Sequence, residues 1–220
     1  MAVLTKPPTC EGCPLHATGR GWVPDKLATN HADYILLGEA PGKNEIAQGV
    51  PFIGDAGYVL VEWLMRAVPM LKLAYDQGRV TVANTLRCLP PEKHGRAYPT
   101  GQEKLDAEAH CRQYDQFGDA QTVVLLGESP QRCFFGSALN DEDASDRRLG
   151  RDVKGVSGRI GREVLHDGRR WVFAPHPARI LRQPAIVEHG QRALQIAANT
   201  ERPIDVDVVE WDHAMGLLHG

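Results

Sequence analysis

No apolar run among the 220 residues approaches the roughly 18 that a membrane-spanning helix needs, and the first twenty residues carry no apolar stretch of the signal-peptide kind. These absences point to a cytoplasmic protein without a membrane partner. No segment repeats, which leaves out arrays of stacked units, and nothing suggests two equal domains. Charge of one sign is also missing. The 25 Lys and Arg against 28 Asp and Glu give a formal net charge of −3, at odds with a surface coated in phosphate-binding groups. Cysteine is sparse, with five residues: Cys10, Cys13, Cys88, Cys111 and Cys133. In a chain of cytoplasmic character these read as metal ligands or free thiols rather than disulfides.

What is present suits one α/β domain of about 200 residues that buries a full core. Four short apolar runs, at 34–37, 80–83, 122–126 and 171–174, are rich in Val, Leu and Ile, as central strands of a parallel sheet are. Helical stretches lie at about 56–68, 101–117, shortly after Pro130, and at 184–198. This alternation predicts an open, doubly wound sheet of about four mainly parallel strands flanked by helices. Residues 1–30 read as a loop segment held by something other than a core. Residues 140–155 read as an exposed insertion and 201–220 as an acidic tail.

The chain is organised around residues 38–57, a glycine-rich stretch between the first apolar run and the first helix, expected as a loop. Its glycines allow close backbone approach to a ligand, while Glu39, Glu45 and Phe52 supply two carboxylates and an aromatic face. The other strands run into Asn84, into Gly127-Glu128-Ser129 and into Pro175-His176-Pro177. Ligands of open α/β sheets bind beyond the carboxyl ends of the strands, so Glu39, Asn84 and His176 are expected to share a pocket with Phe52. Taken singly, Asn84 could be a turn residue, His176 a helix-entry residue and Phe52 core; their joint placement favours a site.

Positive charge is unevenly distributed. From Arg147 to Arg182 there are ten Lys and Arg against three acids, the footprint of a nucleic-acid-binding face on an acidic protein. Among the cysteines, Cys10-x-x-Cys13 is the clearest ligand pair, and Cys88 and Cys111 could complete four thiolates, leaving Cys133 spare. Spacing alone does not separate zinc from an iron–sulfur cluster, although scattered single cysteines suit the cluster better.

These residues resemble the family 4, iron–sulfur, uracil-DNA glycosylases. The resemblance rests on Cys10-x-x-Cys13-Pro14-Leu15, Gly38-Glu39-Ala40-Pro41-Gly42 with Glu45, Gly49-x-Pro51-Phe52-Ile53-Gly54-x-Ala56-Gly57, Asn84-x-x-x-Cys88-x-Pro90-Pro91, Glu108-x-x-Cys111, Leu126-Gly127 and His176-Pro177, in the family's order. Departures are Lys43, Asn44 and Ile46 around Glu45, a longer Cys88-to-Cys111 segment with His94 and Arg96, and Ala174-Pro175 before His176. A related branch that traps the sugar covalently has Gln in place of Ala40 and a Lys-Arg-Arg-Ile-His run, and neither is present.

The resemblance implies a 4Fe-4S cluster on Cys10, Cys13, Cys88 and Cys111, with zinc as the alternative. It implies a uracil stacked on Phe52 and read by Asn84, with Gly38 and Ala40 in the base-binding wall and Glu45 crowding the C5 side against thymine. Glu39 would lie near the sugar, and His176 would donate to O2 of the departing base. Arg179 and Arg182 are expected to face DNA, single- or double-stranded, and the protein is expected to be a monomer. The competing expectations are a non-catalytic DNA-binding or replication accessory protein of the same fold, and a glycosylase for another deaminated or modified base.

Overall fold

The computed structural model describes residues 4–91, 102–135 and 161–199. The expected insertion at 140–155, the acidic tail at 201–220 and His94 lie outside them.

Five strands form one sheet: β1 (Tyr34–Gly38), β2 (Val80–Asn84), β3 (Thr122–Leu126), β4 (Glu163–His166) and β5 (Arg169–Ala174), in the order β2-β1-β3-β5-β4. The first three and β5 are parallel, whereas β4 pairs antiparallel with β5 at the edge. The sequence reading of four strands therefore misses β4. This strand is four residues long and only Val164 in it is buried, so it lacks the apolar run that marks the other four.

The period of two along the strands divides the core between the two faces of the sheet. Leu36, Val82, Val124 and Val172 pack on one face with Leu60, Leu64 and Leu194, and Ile35, Leu37, Val123, Leu125 and Phe173 pack on the other with Phe135 and Trp171. Helices cover both faces, as expected of a doubly wound sheet.

The stretch 38–57 is not all loop. It contains α1 (Lys43–Gln48), whose first turn is closed by the Glu45 carboxylate accepting from the Gly42 N–H. Gly42 supplies no hydroxyl to advertise this helix start, so composition hides it. The helix expected at 56–68 is one helical run that begins as α2 (Asp55–Tyr58), widens to a π-helical stretch at Val59–Leu64 and tightens to a 3₁₀ turn at Met65–Ala67. Next comes α3 (Pro69–Asp76), with proline at its first position.

The helix α4 (Gln102–Cys111) stops short of the expected residue 117. Arg87 Nη1 donates to the Cys111 carbonyl, and the Asp115 N–H turns to the Arg112 carbonyl, tightening the chain into a 3₁₀ turn. Among the described residues the remaining α-helices are α5 (Glu128–Phe135), α6 (Pro177–Arg182) and α7 (Val187–Ala198).

Candidate active site and cysteine chamber

Between β1 and β3 the strand order reverses direction, which opens a crevice at their carboxyl ends. A cavity of about 380 Å³ lies there, lined by Ala40 to Glu45, Phe52, Gly54 to Ala56, Asn84, Leu89, His176 and Ala178. Asn84, His176 and Phe52, three of the four residues expected to share a pocket, meet here together with Ala40 and Glu45. Gly38 lies behind them. A Cβ on Gly38 would come within 2.4 Å of the Phe52 ring and 2.6 Å of Asn84 Oδ1, so only glycine lets those two side chains close over it.

Phe52 adopts φ 55°, the left-handed region that bulky residues avoid at a cost of order 1–3 kcal/mol. Gly57 makes this conformation possible, because a Cβ there would lie 1.8 Å from the Phe52 carbonyl oxygen. The Phe52 ring stands 6.3 Å from the His176 ring, centroid to centroid, with 33° between their planes.

Asn84 ends β2 and is 4% exposed. Its Oδ1 is the one cavity-lining member of the buried side-chain polar atoms without a hydrogen-bond partner among the described residues. A buried acceptor left unmet costs about 1–3 kcal/mol, which a ligand donor would offset.

His176 directly precedes α6, and its Nδ1 accepts from the Ala178 N–H at 3.1 Å. The proton of the neutral ring therefore sits on Nε2. Burial lowers the His176 pKa, Glu39 opposes that shift, and Arg182 adds to it. Burial and the hydrogen bond accepted at Nδ1 both favour the neutral ring, which has a single N–H to donate.

Glu45 is buried, and its carboxylate accepts from Gly42 N at 2.9 Å and Gly54 N at 3.4 Å, tying together the two ends of the glycine-rich stretch. It is a fixed wall rather than a swinging side chain.

Glu39 departs from expectation. Its side chain does not line the cavity but forms an ion pair with Lys104 of α4, while its carbonyl accepts from Thr85 Oγ1 at 3.0 Å.

Half of the expected basic face lies outside the described residues. Of the ten residues, only Arg162, Arg169, Arg170, Arg179 and Arg182 are described. Arg170 is 8% exposed and bonds Glu163 and the Ile196 and Asn199 carbonyls, and Arg169 bonds the Ala120 and Gly118 carbonyls. Both brace the fold near the start of β5. Arg179 and Arg182 lie on α6, next to His176.

A second concavity is lined by Lys6, Leu15, His16, Trp22 and four cysteines, Cys10, Cys13, Cys88 and Cys111; Cys133 is not among them. The expectation that segment 1–30 is held by something other than a core meets a different arrangement: Leu15 packs in a buried cluster with Leu86, Cys88 and Cys111, Val23 is buried, and backbone hydrogen bonds tie Arg20 to Leu89 and Lys26 to Val82. Gly19 backs this chamber, since a Cβ there would lie 2.6 Å from Cys88 Sγ. Desolvation pushes the Cys88 thiol up to about 11 and the Cys111 thiol up to about 12, and neighbouring cysteines add to both shifts. Cys88 and Cys111, desolvated side by side, would ionise only beside compensating positive charge, which bound metal supplies. Among the described residues no group of His, Cys, Asp or Glu is placed to hold a single metal ion. The all-sulfur donor set still fits the chemistry of an iron–sulfur cluster or structural zinc.

A family model described as "Uracil DNA glycosylase superfamily" matches residues 24–198. The chain belongs to that superfamily. It is 34% identical over 186 residues to the Type-4 uracil-DNA glycosylase of Archaeoglobus fulgidus, covering 82% of each chain. It is 30% identical over 193 residues to the enzyme of that name from Pyrobaculum aerophilum, covering 84% of this chain and 86% of the relative. A third, from Saccharolobus solfataricus, is 32% identical over 202 residues, covering 90% and 85%. The superfamily match spans the five described strands and every residue that lines the cavity. Among the described residues no helix is long and apolar enough to cross a membrane.

Sequence reasoning missed Leu89 and Ala178 in the cavity wall, and Lys104 behind Glu39. Ala178 had a readable signal, since His-Pro places the histidine just before a helix whose second residue must offer a free N–H. Lys104 had none, because a lysine on a polar helix looks like a solvated one.

Proposed function

We propose that this chain hydrolyses the N-glycosidic bond of a uracil flipped out of DNA and leaves an abasic site, the first step of base excision repair. The observation that carries this reading is the arrangement of Asn84 and His176 around the Phe52 ring: an unmet buried acceptor, and a histidine whose Nδ1 is engaged so that Nε2–H is left to donate, both lining one cavity. Uracil offers N3–H to Asn84 Oδ1 and O4 to the Asn84 amide, and its face stacks on Phe52. As the C1′–N1 bond breaks, its electron pair passes to the base. His176 Nε2–H stabilises the negative charge building at O2, and water adds at C1′ with loss of a proton. A preformed donor of this kind commonly contributes about 3–4 kcal/mol. Glu39, beside the sugar position, orients the water or offsets cationic character at C1′.

Glu45, fixed by two backbone N–H groups, occupies the C5 side and excludes a thymine methyl. The four chamber cysteines would hold a 4Fe-4S cluster. Two of them stand alone in sequence, which favours a cluster over zinc. When bound, the cluster supplies structure, since breaking a glycosidic bond transfers no electron. Arg179 and Arg182 face the DNA backbone at the pocket mouth.

The test is incubation of the purified protein with a labelled uracil-containing oligonucleotide, followed by alkali. Strand cleavage at uracil is expected, and an intact strand rejects the reading. The protein is expected to be brown, with visible absorbance lost in Cys88→Ala; a colourless protein with one equivalent of zinc would reject the cluster.

A further inference from the structure

Three residues of α4 fall on one face of the helix at spacings of four and three: Lys104, Glu108 and Cys111. Cys111 faces the cysteine chamber. Lys104 Nζ pairs with Glu39 and stands 3.9 Å from Glu108 Oε1. Glu108 is 1% exposed, and Ser129 Oγ and Thr85 Oγ1 both reach its Oε1, the latter at 3.2 Å. Thr85 follows Asn84, and its hydroxyl also lies 3.0 Å from the Glu39 carbonyl oxygen, which in turn accepts from the Leu86 N–H at 2.9 Å. A buried carboxylate is expensive unless it is paired and hydrogen-bonded, and Glu108 has both kinds of partner. Thr85 lies at the β2 exit and Glu39, the partner of Lys104, at the β1 exit, the two strand ends whose neighbouring residues line the pocket, and Ser129 lies in the first turn of α5.

We propose that Lys104 and Glu108 are positioning residues, with Glu108 anchoring Lys104 and Lys104 fixing the Glu39 carboxylate beside the sugar, so that α4 braces the reacting site from the cysteine chamber. This rests on the reading of Glu39 given above. Glu39 needs such a fixture because it lies outside the cavity lining and, left to itself, its flexible side chain would sample many positions. A displacement of about 1 Å at a reacting site can cost on the order of 100-fold in rate.

The experiment is single-turnover uracil release, with affinity for uracil-containing DNA measured in parallel. It uses the full chain carrying Lys104→Met, Lys104→Arg, Glu108→Gln, Glu39→Gln, and each of Lys104→Met and Glu108→Gln combined with Glu39→Gln. Lys104→Met is expected to slow the chemical step by about 10- to 100-fold with little change in affinity. Lys104→Arg is expected to recover most of that rate. On the Glu39→Gln background, Lys104→Met and Glu108→Gln are expected to cost nothing further, because they act through a carboxylate already removed. Glu108→Gln keeps the shape of the buried side chain, so it tests the anchor even where Lys104→Met folds poorly.

A full extra loss in either double variant overturns the proposal, and so does a Lys104→Met rate equal to wild type. Equal falls in rate and affinity, unrecovered by arginine, assign Lys104 to general structure and also overturn it. Should Glu39→Gln match wild type, the role of Glu39 fails and the proposal with it. An inactive wild type would instead remove the glycosylase reading itself.

Discussion

The base cavity and the cysteine chamber are both assembled from segments far apart in sequence, yet they treat polar groups in opposite ways. Around the chamber nearly everything is satisfied. Arg87, 1% exposed, directs its guanidinium to Asp25 at 2.9 and 3.1 Å, to Asp115 at 2.7 Å and to the Cys111 carbonyl at 3.0 Å. Lys6 donates to the carbonyls of Leu15 at 3.0 Å and Gly19 at 2.6 Å, closing the turn that follows Cys13. In the base-pocket cavity, by contrast, Asn84 keeps an acceptor unmet, Phe52 sits in a disfavoured conformation, and His176 lines the wall with only its Nδ1 engaged among the described residues. Between these two regions, saturation accompanies the chamber, and an unmet acceptor and backbone strain accompany the cavity, as is usual where stability is given up for readiness.

The comparison predicts that substitutions in the two regions fail differently. The largest effect belongs to Arg87→Ala. It would leave Asp25 and Asp115 buried without their cation, at a cost of about 3–5 kcal/mol in denaturant unfolding. Burial already pushes both carboxyls up against the pull of Arg87. Visible absorbance should be lost with stability. A stable, still coloured Arg87→Ala protein would show that the chamber does not depend on this network.

Next in size is His176→Ala, expected to lower the single-turnover rate by about 10²–10³, or roughly 3–4 kcal/mol of transition-state stabilisation, while leaving affinity for uracil-containing DNA largely intact. Loss of binding instead of rate would move His176 from chemistry to structure. Asn84→Ala should abolish efficient uracil release without reducing stability, because Oδ1 has no partner to lose among the described residues. A destabilised Asn84→Ala protein with normal uracil release would make Asn84 an ordinary turn residue.

Arg179 and Arg182 test the rim of the same region. Replacing both with alanine should flatten the dependence of log affinity on log salt by up to about two, because each phosphate that is no longer neutralised by an arginine keeps about one condensed counterion. An unchanged slope would place the DNA-facing surface elsewhere.

Much of this contrast was legible in the residues, and the parts that were not share a cause. The four buried strands announced themselves as unbroken Val, Leu and Ile runs, and with the strands fixed, the residues at their carboxyl ends had to converge. That located Asn84, His176 and Phe52. Features built from side-chain reach were hidden. Glu39 sits where the strand puts it, but Lys104, 65 residues later in the chain, decides where its carboxylate goes. Arg169 and Arg170 belong to the basic run in sequence, yet the Ala120 carbonyl and Glu163 hold them against the fold. The charge of an arginine can be read from its letter, whereas its partners cannot. Composition also hid α1, because its closing group is a glutamate in the third position rather than a hydroxyl before the first.

The smallest expected effect is a pH dependence of stability, and it bears on whether the cavity is held ready at a cost. Burial, the largest influence, and Arg182 lower the His176 pKa below its ordinary value of about 6.5, while Glu39 pulls the other way. Above that ordinary value the ring is neutral in the folded and unfolded chain alike, and it contributes nothing to the pH dependence. As the pH falls through it, the unfolded chain takes up a proton that the folded chain refuses, so the unfolded state binds more protons and stability declines. The decline levels off once the pH passes the folded value and both states are charged. Folded-state protonation would also cost the hydrogen bond from Ala178 N–H to Nδ1. His176→Asn keeps a side chain able to accept from that N–H and removes the titration. Denaturant unfolding of the two proteins between pH 8 and pH 5 should therefore show wild type losing stability relative to His176→Asn as the pH drops. Parallel curves would mean that the ring meets protons equally in both states, and that this side of the cavity is not held out of water.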